Sequence, residues 1–553
     1  MCRMFSPRFT RSLPTKVGHQ TFGILCSILR CALAAPRPRL EECAMADDRL
    51  KSSGATYSQA GEGYFEKRQL KRTAGFWGLW GIGVAAVISG DFSGWNFGIG
   101  EAGWGGLAVA SVLIVITYFG MLFSIGEMSA AMPHTGGAYS FARASMGPWG
   151  GFITGFAETI EYVFTTAVVV FFSASYADAV TSELFGLSMP GWVWWLILYA
   201  IFVGLNSWGA ALSFKFALVV AIISIGILVL FGVLAIANGA VDFSRLFDIA
   251  PDPAAAGSSD FLPFGWVAVL YALPFAMWFF LGIEELPLAA EEAHDPARDI
   301  PKAGIWGLIS LVGCGAIVFF LNPAVTGSEA LGASDEPLLD GFRAFLPGSL
   351  AAVLSAFALI GLLASLQGIM YAYGRNLYSL SRAGYYPKVL SLTGSRQTPY
   401  IALILGAVIG FVALVVVSLN EGAGDVVLNI AVWGAVLAYM LQMISFVLLR
   451  RNFPNARRPW VSPTGNAGAI VALVIAAITF VGVLVNPTYR PAVIAIVVFY
   501  VIGLLVFGFY GRHRLVLSPE EEYAVTGGLH GYDPEAEGLG GTIEDEILKG
   551  HTD

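Results

Sequence analysis

Val84–Gly98 reads VAAVISGDFSGWNFG. The stretch begins as an apolar helical pattern, breaks into small and polar residues at Ser89-Gly90-Asp91-Phe92-Ser93-Gly94, and turns apolar again. Two glycines and two serines lower helix propensity there. In lipid, an interrupted helix survives only where it is buried in protein or lines a cavity. An aspartate at that depth is costly and needs a partner. The pattern predicts a discontinuous membrane helix whose break forms part of a ligand or ion site. A structural reading competes with it, in which Ser and Gly let another helix pack close and Asp91 is a buried, protonated or paired group.

The rest of the chain supports a membrane setting. Of 553 residues, 56% are hydrophobic and 13% charged, against about 25% charged in soluble domains. The net charge of −8 derives partly from the C-terminal stretch and says little about partners. Four of the five cysteines fall before residue 45, so no disulfide framework is expected, and Cys314 reads as a small core residue. No histidine lies in an apolar segment, which argues against a haem or histidine-based metal site in the membrane. Residues 1–44 are basic, with a short apolar run interrupted by Arg30. Met45 then opens MADDRLKSSG, an ordinary soluble start. We read 1–44 as an upstream extension or disordered segment outside the fold, a cleaved signal being the alternative. Residues 45–74 follow as a cytoplasmic N-terminal segment, then a transmembrane domain over 75–511 and an acidic, disordered cytoplasmic tail over 512–553.

Twelve hydrophobic segments reach or approach the ~20 residues a bilayer requires: 75–98, 105–131, 148–177, 190–207, 213–237, 264–290, 303–322, 346–375, 399–419, 424–449, 467–486 and 490–511. The segments predict an all-α integral membrane protein. Arg and Lys concentrate on alternate loops, for example Lys67, Arg68, Lys71 and Arg72, then Arg382, Lys388 and Arg396, then Arg450 and Arg451, then Arg512 and Arg514. That bias predicts a multi-pass protein of the cytoplasmic (inner) membrane with both termini in the cytoplasm.

Span six mirrors span one. It reads PFGWVAVLYALPFAMWFFLGIEELPLAAEE, with Pro274 inside, then Leu281-Gly282-Ile283, then Glu284, Glu285 and Pro287. Two interrupted spans five apart point to an inverted repeat with the site between its halves.

At this point the residues resemble a family. GEMSAAMPHTGGAYSFARASMGPWGGF, from Gly126 to Phe152, resembles a signature of the amino acid–polyamine–organocation permeases, as does AEEAHDPARDIPKAGI from Ala290 to Ile305. FFLGIEE, from Phe279 to Glu285, resembles their span-six break. The resemblance covers about residues 70–510. It implies the leucine-transporter-type fold, a five-plus-five inverted repeat plus two helices, with alternating access around broken helices one and six. Within the superfamily, ISGDFSGWNFG, GFAETIEYVF and FFLGIEELPLAAEE are most similar to ethanolamine permeases.

The resemblance also locates candidate residues. Members usually hold a substrate carboxylate on backbone N–H groups of the span-one break, in a pattern like Ser-Gly-Ile-Phe. Here the four residues are Ser89, Gly90, Asp91 and Phe92, so a carboxylate replaces an apolar side chain. A bound anion ~4 Å from Asp91 would be repelled by about 4 kcal/mol at an effective dielectric of about 20, whereas an ammonium would be attracted. The departure favours an amine without a carboxylate, which suits ethanolamine. Glu158 and Glu161 share a face of span three, roughly 14 and 18 Å along the helix from Trp149 at 1.5 Å per residue. Glu161 is a candidate for substrate binding and Glu158 for gating or proton coupling, one of the two taking up a proton, the alternative being a structural hydrogen bond. Trp278 lies six residues before Glu284, a family spacing, and is expected to pack on the ammonium by cation–π contact, with Gly282 at the break. Glu284 or Glu285 is expected to act in gating or proton coupling. Glu291, Glu292 and Asp295 with Arg298 read as a cytoplasmic ion-pair latch, with Glu127 serving the same region.

The expectation is therefore a secondary transporter for ethanolamine uptake, not an enzyme. Its partners are a small amine and the lipid bilayer, with no cofactor, metal or nucleic acid. The driving force stays open between proton symport, exchange and facilitated entry, and oligomeric state is not written in the sequence. An amino acid or polyamine permease is the first alternative, and a membrane sensor or membrane-embedded enzyme the distant one.

Overall fold

A computed structural model describes residues 49–52, 55–58, 66–68, 70–133, 135–419, 423–454, 456, 458–487, 489–516 and 518. The expectations for 1–44 and for nearly all of the acidic tail fall outside these residues. The chain divides into two units. The first, residues 1–50, contributes only the start of a short strand at Arg49–Ser52. Everything below concerns the second.

Among the described residues, ten helices are long and apolar enough to cross a membrane, and Phe76–Phe92 and Gly191–Ser207 are shorter apolar helices among them. Together they match the twelve expected segments. Span one runs Phe76–Val87 and Ser89–Phe92, opens, and resumes at Phe97. Gly103, at φ 71, then separates it from span two, which ends at Ala131. A Cβ there would meet Pro263 at 2.3 Å, so the corner admits only glycine. Span three lies in Gly137–Phe185, where Gly147 (φ 79) before Pro148 divides a short leading helix from the span. Spans four and five are Gly191–Ser207 and Ala210–Ala237. Span six is Gly265–Trp278, four non-helical residues, and a 3-10 segment Ile283–Glu292. Span seven is Pro296–Thr326. Two short helices, Ser328–Leu331 and Pro337–Arg343, cap one end of the bundle as a lid. Spans eight to twelve are Gly348–Arg382, Tyr400–Val417, Ala423–Asn452, Gly465–Val485 and Arg490–Phe509.

The end opposite the lid carries the bases Arg375, Arg382, Arg450 and Arg514, and we call it the basic end. A small parallel strand pair lies outside the spans, joining Tyr57 to Leu515 and Ser58 to Val516. No pattern in the sequence announced it.

Glycine sets how closely the central spans approach. A Cβ on Gly90 would lie 2.3 Å from the Trp278 carbonyl oxygen, and one on Gly368 2.6 Å from Ala86 Cα. Span one therefore lies backbone-to-backbone against span six on one side and span eight on the other. Gly434 of span ten meets span three in the same way, 2.9 Å from both the Ala157 carbonyl and the Glu161 nitrogen. Small residues are what let helices in lipid gain dispersion contact without a hydrophobic drive.

Candidate site at the two helix breaks

Span one stays helical through Phe92 and opens at Ser93–Asn96, a turn later than Ser89-Gly90 alone would place it. Ser93 is extended and Gly94 has φ 92. The helix survives Ser89 because span eight braces it. Ser365 Oγ accepts from the Ser89 N–H at 2.8 Å and donates to the Ala85 carbonyl at 2.7 Å. The opened carbonyl of Ser93 accepts from the Trp278 indole N–H at 2.9 Å. Asn96 donates to two lid carbonyls, Leu331 at 2.7 Å and Ser334 at 2.8 Å. Ser93 Oγ donates to the Asp335 carbonyl at 2.9 Å. Tyr176 of span three donates to the Phe92 carbonyl at 3.0 Å and accepts from the Leu338 N–H at 3.1 Å. The lid is thus tied directly to the break.

Several N–H groups around this break are bonded within the chain. Besides Ser89, the Asp91 N–H donates to Ile88 O, Ser93 to Ser89 O and Gly94 to Asn96 Oδ1. At the span-six break, Gly282 (φ 109) donates its N–H to Glu284 Oε2 at 3.1 Å.

Four carboxyls converge beside the breaks. Glu161 accepts from the Tyr439 hydroxyl at 3.0 Å, and Tyr439 lies 3.2 Å from the Tyr118 hydroxyl. The Glu161 and Glu284 carboxyls are within hydrogen-bonding reach of each other. Glu161 Oε2 and Glu284 Oε1 have no other hydrogen-bond partner among the described residues, and two carboxylates would need one proton to bond each other. Glu158, a turn away, accepts from Asn376 Nδ2 at 3.2 Å and from the Tyr162 hydroxyl at 3.4 Å. Glu285 is buried, and neither of its oxygens has a hydrogen-bond partner among the described residues.

Asp91 is also buried, again with no hydrogen-bond partner on either oxygen among the described residues. Its carboxyl turns to span seven, with Oδ1 3.2 Å from where a Cβ on Gly315 would stand. Phe279 lies against the same glycine and stacks near Trp95 at 5.2 Å, while Phe280 faces Tyr118 at 5.4 Å. The two phenylalanines thus stand between Asp91 and the glutamate group. Phe92 packs on Gly361 of span eight. None of the five acids forms an ion pair with a lysine or arginine among the described residues.

The structure brings Glu161 and Glu284 together and sets Gly282 beside them. Ser89 and Phe92 pack on span eight, Gly90 and Trp278 join the span-one break to span six, and Asp91 turns to Gly315. Tyr118 and Tyr439 were missed, because nothing in the sequence marks which of the 20 tyrosines faces inward.

The expected latch differs in its partners. Glu292 pairs with Arg375 of span eight at 2.7 Å, and Glu291 with Arg382 at 2.5 Å. Arg298, the expected base, is exposed. Glu127 pairs with Arg450 and Arg458 and serves the span-ten end instead. Arginines near the end of span eight, at the end of span ten and just beyond it reach these acids across sequence gaps that local spacing does not reveal. Span eight's Tyr371 donates to Glu292 at 2.6 Å, and Gln367 bonds Asn206 and Ser213.

Comparison with known proteins adds four similarities. Residues 78–517 match the family described as amino acid permease. An uncharacterised transporter of Rhizobium meliloti is 25% identical over 480 residues, covering 84% of this chain and 98% of that protein. A probable GABA permease of Pseudomonas aeruginosa is 28% identical over 441 residues, covering 75% and 87%. Among solved structures, a nucleobase-cation-symport-1 family transporter in a closed conformation aligns with TM-score 0.44 and 15% identity, over 86% of this chain and 99% of that one.

Proposed function

Because the chain belongs to the amino acid permease family and is a multi-pass secondary transporter of leucine-transporter-type architecture, we propose that it takes up ethanolamine by alternating access across the cytoplasmic membrane. The observation that carries this reading is the charge of the site. Five buried acids line the region of the breaks without a basic partner among the described residues, while the N–H groups of Ser89, Asp91, Ser93, Gly94 and Gly282 are already bonded within the chain. Such a site favours a cation that has no carboxylate of its own.

In this reading the ammonium displaces the proton shared by Glu161 and Glu284 and takes their carboxyls as partners. The ethanolamine hydroxyl reaches Tyr439 and Tyr118. Because the proton leaves as the amine binds, the coupling in this reading is exchange of amine for proton, and Glu158 and Glu285 adjust the charge of the site. Asp91 adds negative potential behind Phe279 and acts against carboxylate-bearing ligands. Trp278, by holding Ser93, keeps the break open. The alternation of basic loops supports both termini lying in the cytoplasm.

A second reading, an amino acid permease, is favoured by relatives named for such substrates. Uptake of labelled ethanolamine into proteoliposomes, competed with alanine, γ-aminobutyrate, lysine and putrescine, separates the two. Competition by small amines alone supports ethanolamine. Competition by amino acids moves the assignment to the second reading and returns Asp91 to a structural role.

A further inference from the structure

A second cavity lies away from the carboxyls, at the basic end. It measures about 470 Å³ and is bounded by Phe152 and Phe156 of span three, Tyr385 to Lys388 after span eight, and the last turns of span twelve through Arg514. Its walls are aromatic. Phe507 stacks on Phe152 at 4.3 Å and on Tyr385 at 5.4 Å. Along one side, Ile502 and Val506 are more than half exposed, so the cavity opens toward the lipid.

Its mouth is cationic. Lys388 and Arg514 both line it, and the Arg514 guanidinium lies 3.9 Å over the Tyr510 ring. Arg68 stands behind, donating to the Lys388 carbonyl at 3.1 Å. Burial, and then the positive charges of Arg68 and Arg514, hold the Lys388 ammonium below its usual range.

We propose that this groove seats an anionic phospholipid, one acyl chain along the aromatic walls and the phosphate between Lys388 and Arg514. Phosphate suits paired cationic donors, and anionic lipids gather at basic segments beside the membrane. A free anion would use the cations but leave the apolar walls uncovered, and a zwitterionic lipid would bring no net charge.

The site also reaches the transport core. The Tyr386 hydroxyl lies 2.9 Å from Thr159 Oγ1, which is 2.7 Å from Asn376 Oδ1, and Asn376 donates to Glu158. A lipid that fixes the loop at Tyr385 to Lys388 therefore also fixes the hydrogen-bond chain that ends on a candidate carboxyl.

The test uses the full chain, purified and stripped of lipid in detergent, then supplied with phosphatidylglycerol, phosphatidylcholine or inorganic phosphate. Melting temperature and lipid adducts by native mass spectrometry are the readouts. Phosphatidylglycerol is expected to raise the melting temperature and to be retained as an adduct, and the other two to do neither. The double variant Lys388→Gln/Arg514→Gln should lose both effects, while Arg512→Gln, outside the groove, keeps them. Ile502→Trp fills the groove from the lipid side without touching either cation, should also lose them, and decides the matter if the double variant does not fold. A phosphatidylglycerol response that persists in these variants, or an equal response to inorganic phosphate, overturns the proposal. Because the readout is lipid binding, it stands or falls independently of the ethanolamine reading.

Discussion

Arg375 of span eight and Glu292 at the end of span six form an ion pair of 2.7 Å, with neither side chain exposed. Tyr371 completes it, donating to the other Glu292 oxygen while the Arg375 guanidinium lies 3.8 Å over its ring. The backbone of Glu292 meanwhile accepts from the Thr73 and Ala74 N–H groups just before span one. One residue thereby joins spans one, six and eight at the basic end. Losing one partner of a buried pair leaves an uncompensated charge and costs about 3–5 kcal/mol. Glu292→Gln should accordingly lower the melting temperature and open the basic end, measured as faster labelling of a cysteine placed at Thr73. Unchanged labelling and melting would remove the pair from the gate.

Glu161→Gln and Glu284→Gln test the shared proton. Each should reduce uptake at least about tenfold, a loss of about 1.4 kcal/mol or more of transition-state stabilisation. Each should also flatten the dependence of uptake on pH. The double variant should be little worse than either single one, since both remove the same contact. Additive losses would show that the two carboxyls act separately.

Gly90→Ala places a methyl group against the Trp278 carbonyl, backbone on backbone, where nothing can rotate away. Forcing spans one and six apart should cost about 1–3 kcal/mol and abolish transport. Gly226→Ala on span five, where a Cβ meets nothing within 4 Å, should leave both unchanged and serves as the control. Normal uptake by the Gly90 variant would show that the break does not depend on this contact.

The lid carries its own titration. Burial, and then the Asp335 and Asp340 carboxylates, push Glu336 up to about 7, while a hydrogen bond from Ser175 and the charge of Arg343 pull the other way. The folded lid therefore binds a proton that the unfolded segment has lost above 4.5, the ordinary value. Lid stability must fall as pH rises from about 4.5 to about 7 and level off outside that window. In a Ser93→Cys protein, thiol labelling should increase across that window and become flat on adding Glu336→Gln. A slope that survives the second substitution would assign the titration to another group.

Much of the fold was legible because bilayer thickness constrains it. The twelve spans and the span-six break at Gly282 follow from apolar length and from glycine beside two glutamates. The span-one break was harder. Ser and Gly weaken a helix only if nothing supports it, and Ser365, 276 residues away, does. The opening moves on to Ser93, where the chain can bond to Trp278 and the lid. For the site, the acidic residues were readable one by one, but their grouping was not. Spacing put Glu158 and Glu161 on one face, yet only the packing of spans two and ten brings Tyr118 and Tyr439 to Glu161. Packing likewise turns Asp91 toward Gly315.

The absence of a basic partner for the five acids, among the described residues, affects how the membrane potential acts. If the site gives up its shared proton to hold one monovalent amine, proton and amine carry the same charge, and the occupied and protonated carriers differ little in net charge. The field then does little work on the step that carries the amine across. It acts on the carrier when neither cation is bound, whose extra negative charge must cross on its own, at about 2.3 kcal/mol per charge for each 100 mV. Voltage should thus set the rate only where the carrier resets with neither cation bound; exchange of the amine for a proton or for another amine, which skips that state, should be nearly insensitive to it.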